Sequence, residues 1–202
     1  GVGPFPQDLR AEHGFDNRGD HLTLSPMLME AFFKLSRRIV QSSNFDKRTV
    51  GIWQEFFVPP GKKEKMESEV RERLRVFLGR AFRRPVEKGL LESYVGYVMG
   101  QLKSGKEFSG AMKEVVSAVL ASPQFLYLYD KPSEAGEAEL LDGYELASRL
   151  SFFLWGSIPD EKLLELAGSG KLVEPEVLAG EVRRMLLDRK LKRFCDSFPS
   201  QW

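Results

Sequence analysis

The run Asp16-Asn17-Arg18-Gly19-Asp20 sets two carboxylates and an amide within five residues, the oxygen-rich kind of turn that can hold calcium. A helix-loop-helix calcium site wants oxygen ligands at alternating positions and a closing glutamate, and here Arg18 and Met27 fall where ligands belong. Asp, Asn and Gly also make ordinary turns, because they tolerate left-handed φ and bond their own backbone, and a turn is the plainer expectation. His13 and His21 flank this run, and histidine is the commonest general base and metal ligand at neutral pH. Neither has a histidine one helical turn away or a nearby cysteine, so no metal site is expected. An acid–base group of Asp16, Asp20 and His21, in reach of Arg83 or Arg84 at a junction between modules, is the enzymatic alternative.

The basic residues offer a second chemistry. Arg71, Arg73, Arg75, Arg80, Arg83 and Arg84 fall in one stretch, and Arg183, Arg184, Arg189, Lys190, Lys192 and Arg193 in another. Arginines so placed could grip phosphates, and nucleic-acid binding through the helix at 70–84 is a second alternative. Glu67, Glu69 and Glu72 interleave with the first run, which fits ion pairing within a helix. Thirty basic residues against 29 acidic ones leave a net charge of +1, so no nucleic-acid partner is expected. Cys195 lies on a predicted helix, where a buried thiol acting as a small hydrophobe is expected; a nucleophile would need a positioned base. Tyr127, Tyr129, Tyr144, Phe152, Phe153 and Trp155 could line a ligand groove, though at these spacings packing is the default. Phosphate loops, nucleophile elbows and HExxH motifs are missing from the sequence, so the catalytic residues are unknown.

These groups need elements to position them. With 42% apolar and 29% charged residues, the 202-residue chain can bury a core. No segment approaches the ~18 uninterrupted apolar residues of a membrane span. Turn formers crowd residues 1–20. Ser25-Pro26 then makes a helix entry, and Leu28, Ala31, Phe32, Leu35 and Ile39 give an apolar face over 26–40. Residues 50–58 are the one plausible strand, but a lone strand leaves its backbone unpaired, so an extended linker is an equal reading. Val70, Leu74, Phe77, Leu78 and Ala81 form a stripe that Arg83-Arg84-Pro85 ends. Pro85 opens a helix carrying Leu91, Tyr94, Val98 and Leu102, and a third stripe runs from Phe108 to Leu120. Residues 131–138 read as a linker. Beyond it, Asp142 with Glu145 predicts a capping box, helices follow over 160–167 and from Pro175, and a last one covers 190–198. The expectation is an all-α chain of seven to eight short helices, packed as two helical modules after an irregular N-terminal segment.

Several of these segments together resemble one family. Gly14-Phe15-Asp16-Asn17 with Leu22-Thr23-Leu24-Ser25-Pro26, then Arg80-Ala81-Phe82-Arg83-Arg84-Pro85-Val86, then Leu120-Ala121-Ser122-Pro123-Gln124-Phe125-Leu126, then the stretch from Leu141-Asp142-Gly143-Tyr144-Glu145 to Phe152-Phe153-Leu154-Trp155, are similar to exported multidomain proteins of planctomycetes and related bacteria. In that family a c-type cytochrome domain precedes a string of domains of unknown function. The resemblance implies that residues 1–61 are the C-terminal part of a first such domain (loop, helix 26–40, extended linker). It further implies that 62–131 are a small helical domain and 138–202 the truncated start of another. It implies a periplasmic or extracellular location, with haem c on an upstream domain and no cofactor on this chain, whose single cysteine cannot build Cys-x-x-Cys-His. The partners it implies are the cytochrome c domain of the same polypeptide and, from carbohydrate-binding inserts in some members, a polysaccharide. Relatives place cysteines near Val58 and Val70, where this chain has valines. The resulting expectation is a non-catalytic helical scaffold or docking portion of an exported, cytochrome c-associated protein, linked to redox work or polysaccharide breakdown.

Overall fold

A computed structural model describes residues 26–128 and 141–197. Among them there is no strand; ten α-helices and three 3-10 turns carry the fold. The chain gathers into two compact units. Among the described residues, 26–73 and 93–126 make the first, and 74–92, 127–128 and 141–197 the second; two of the boundaries fall inside helices, those at Met66–Ala81 and Lys88–Lys103.

In the first unit, α1 (Pro26–Gln41) packs on α5 (Phe108–Leu120). Leu28, Ala31, Phe32 and Leu35 of the apolar face expected on α1 are half-buried, but toward its end Ile39 is exposed while Ser36 and Val40 are buried. Ser36 Oγ meets Ser117 Oγ of α5 at 3.0 Å, and Ser36 also donates to the Phe33 carbonyl at 2.9 Å. Two small side chains that satisfy each other let the helices approach closely at the crossing, where a larger residue would hold them apart.

The strand or extended linker expected near 50–58 is instead the short helix α2 (Trp53–Phe57). Trp53, Phe56 and Phe57 stand at i, i+3 and i+4, a helical face, and their burial outweighs the β preference of the run. Phe57 packs against Trp53 and Phe56 at 4.9 Å between ring centres and against Phe45 at 5.6 Å. Lys113 of α5 donates to the Phe45 carbonyl at 3.2 Å, with its ammonium 5.3 and 5.2 Å from the Phe45 and Trp53 rings. Arg73 donates to the Val58 carbonyl at 2.6 Å, placing a cation at the end of α2 where the helix dipole favours one.

The second unit is organised by helix ends. The C-terminal half of α3 (Met66–Ala81) stops where Arg84 N–H bonds the Gly79 carbonyl at 3.1 Å and Arg83 takes φ 61°, a left-handed stop usually left to glycine. Pro85 does not open the next helix as expected: α4 (Lys88–Lys103) begins at Lys88, three residues being spent turning the chain out of that stop. The short α6 (Pro123–Leu126) raises the helix number above the seven to eight expected, as α2 does. Asp142 and Glu145 form the predicted capping box at α7 (Gly143–Trp155), and Gly156 closes the helix at φ 55°. Asp160 caps α8 (Glu161–Gly168); Pro175 starts α9 (Pro175–Leu186). These helices bury Ala147, Leu154, Trp155, Leu163, Leu172 and Met185 as one core, with the indole N–H of Trp155 donating to the Met185 carbonyl at 3.1 Å. α10 (Lys192–Ser197) returns to α7 through Phe194, whose ring meets Phe153 at 5.2 Å. Because Phe194 takes the inner side, Cys195 is exposed, not the buried thiol expected.

Candidate functional site

Within the second unit a cleft of about 490 Å³ opens between the end of α3 and helix α8. One wall carries Arg75, Val76, Gly79 and Arg80 of α3 and continues through Arg84-Pro85-Val86. The other carries Glu161, Leu164 and Glu165 of α8, with Tyr144 of α7 closing one end beside Gly168. Side chains four apart share a helix face, so Glu161 and Glu165 present two carboxylates, one turn apart, to the arginine wall. Val76, Pro85, Val86 and Leu164 supply apolar surface between them. The volume is in the range of small-ligand sites, and the mix of apolar lining with a few convergent polar groups is that of a binding cleft.

Glycine makes the Tyr144 end possible. A Cβ on Gly168 would lie 2.7 Å from the Tyr144 hydroxyl, and one on Gly143 would lie 2.8 Å from the Ala167 carbonyl oxygen. The start of α7 and the end of α8 therefore meet backbone to backbone, and Tyr144 is seated by that contact.

Arg84 is held from behind. Its Nη2 donates to Asp142 at 3.1 and 3.4 Å, lies 3.8 Å from Glu145 Oε1, and the guanidinium is 6.0 Å from the Tyr144 ring. Glu145 is buried; its Oε2 accepts the Asp142 N–H at 3.0 Å as part of the capping box, while Oε1 has no hydrogen-bond partner. Arg80 crosses the cleft to pair with Glu161, both side chains more than half exposed. Arg83, adjacent in sequence, is buried and does not line the cleft: it donates to the Tyr127 carbonyl at 2.6 Å and lies 5.7 Å from the Phe152 ring. Burial, and then the neighbouring Arg84 charge, lower its pKa from the ordinary arginine value.

The residues singled out from sequence are scattered. Asp16, Asp20, His13 and His21 lie outside the described residues, as does Tyr129, so only the Arg83 and Arg84 side of the enzymatic alternative is in view. The arginine run of 70–84 is largely spent on protein groups: Arg71 pairs with Glu67 at 2.8 Å, Arg73 serves α2, and Arg80 and Arg84 hold the carboxylates named above. In the second run, Arg184 and Lys190 lie 5.4 and 4.3 Å from the Trp155 ring, and Lys192 pairs with Asp196 at 2.8 Å. The aromatic group divides: Trp155 is core, Tyr144 lines the cleft, and Phe153 meets Phe194 edge to face. Among the described residues, no three His, Cys, Asp or Glu side chains converge as a metal site would need. No helix there is long and apolar enough to cross a membrane. The cleft was not legible in the sequence; its one available signal was Glu161 and Glu165, one turn apart on α8, opposite in charge to the arginines at the end of α3.

Comparison with known proteins locates the chain among domain families. Residues 2–43 match the family described as PSD3: Protein of unknown function (DUF1587). Residues 69–130 match PSD5: Protein of unknown function (DUF1595), and residues 141–202 match PSD4: Protein of unknown function (DUF1592). No curated protein and no solved structure matches. The cleft joins residues of the second matched stretch, Arg75 to Val86, to residues of the third, Tyr144 to Gly168. Three consecutive stretches of the chain thus match domain families of unknown function, in the order DUF1587, DUF1595, DUF1592.

Proposed function

We propose that the chain is a non-catalytic helical scaffold and docking portion of an exported, cytochrome c-associated protein, serving redox work or polysaccharide breakdown outside the cytoplasm. The observation that carries this reading is the series of three matched domains of unknown function, in the order that the motif resemblance implied. The use of ionisable residues in the second unit supports it. Asp142 and Asp160 cap helices, and Arg84 and Arg184 hold those caps, so these charges serve architecture. The same reading sets domain limits at 1–61, 62–131 and 138–202, which enclose the matched stretches. The partner is the c-type cytochrome domain of the same polypeptide, which carries the haem.

The test mixes the purified chain with the c-type cytochrome domain from the same open reading frame and measures association by calorimetry. Saturable binding by a chain that itself has no Soret band is the expected result. A Soret band in the purified chain, or failure to associate, overturns the reading.

A further inference from the structure

We draw no further inference here: the strongest candidate, the cleft between the end of α3 and helix α8, carries nothing, because its Arg80 and Arg84 are already met by Glu161 and Asp142 of the chain itself and nothing in the structure shows what would occupy it.

Discussion

The entries of α7 and α8 are the same device built twice. Each begins with an aspartate N-cap, each aspartate is held by an arginine, and each arginine lies near an aromatic ring: Asp142 with Arg84 and Tyr144, Asp160 with Arg184 and Trp155. They differ in how completely the polar groups are matched. Arg184 forks onto Asp160 at 2.7 and 3.2 Å and gives its Nε to the buried Glu181 at 2.7 Å, while Lys162 takes the other Glu181 oxygen at 2.5 Å. Arg84 holds Asp142 through one nitrogen at 3.1 and 3.4 Å, and Glu145 Oε1 behind it is left without a hydrogen bond. Trp155 is wholly buried, whereas Tyr144 faces the cleft. One copy is fully matched; the other leaves a buried carboxylate oxygen without a hydrogen bond.

The comparison can be broken most sharply at its aromatic rings. Trp155→Ala should cost about 3–5 kcal/mol, and Tyr144→Ala less than half of that, both read from urea unfolding. Next come the caps. Asp160→Ala should cost about 2 kcal/mol and Asp142→Ala about 1. In double-mutant cycles, the coupling of Asp160 with Arg184 should exceed 1 kcal/mol, and that of Asp142 with Arg84 should fall below about 0.5. Equal couplings would erase the distinction between the fully and the partly matched cap. At the α3 stop, Arg83→Gly and Arg83→Ala both lose the guanidinium contacts, but only glycine relieves the left-handed backbone. The glycine variant should therefore be the more stable by about 1 kcal/mol.

The smallest effect is a pH dependence. Burial opposes the Asp160 charge, but bonds from Arg184 and the Leu163 amide, with the Arg184 and Lys190 charges, outweigh it and hold the pKa below its ordinary value. A carboxylate with a lowered folded-state pKa stabilises above its unfolded value of about 3.9 and loses that contribution as pH falls through the folded value. Acid unfolding of the second unit below about pH 4 should therefore become shallower in Asp160→Asn. An unchanged acid profile would show that the cap does not act through its charge.

Much of the helical pattern was legible because it is written locally. The Asp142 and Glu145 box and the Pro175 start each act within one turn of their own position. What could not be read depends on partners distant in sequence. Ser36 is buried and Ile39 exposed because of a helix crossing with Ser117, which no periodicity within α1 encodes. The aromatic run at 53–57 suits a strand or a helix equally until Phe45, Lys113 and Arg73 surround it. The cleft draws on Arg80, Arg84, Tyr144 and Glu161 from three helices and a loop, and each alone reads as ordinary surface.

Two of the three tryptophans, Trp53 and Trp155, can give each unit its own optical reporter. Trp53 lies in the first unit among Phe45, Phe57 and the Lys113 ammonium, and Trp155 lies in the second, fully enclosed with the Lys190 ammonium 4.3 Å from its ring. Their surroundings differ in polarity and in the cation above the indole, so their emission maxima and quenching should differ. In a Trp202→Phe background, Trp53→Phe and Trp155→Phe variants let the melting of one unit be followed while the other stays dark.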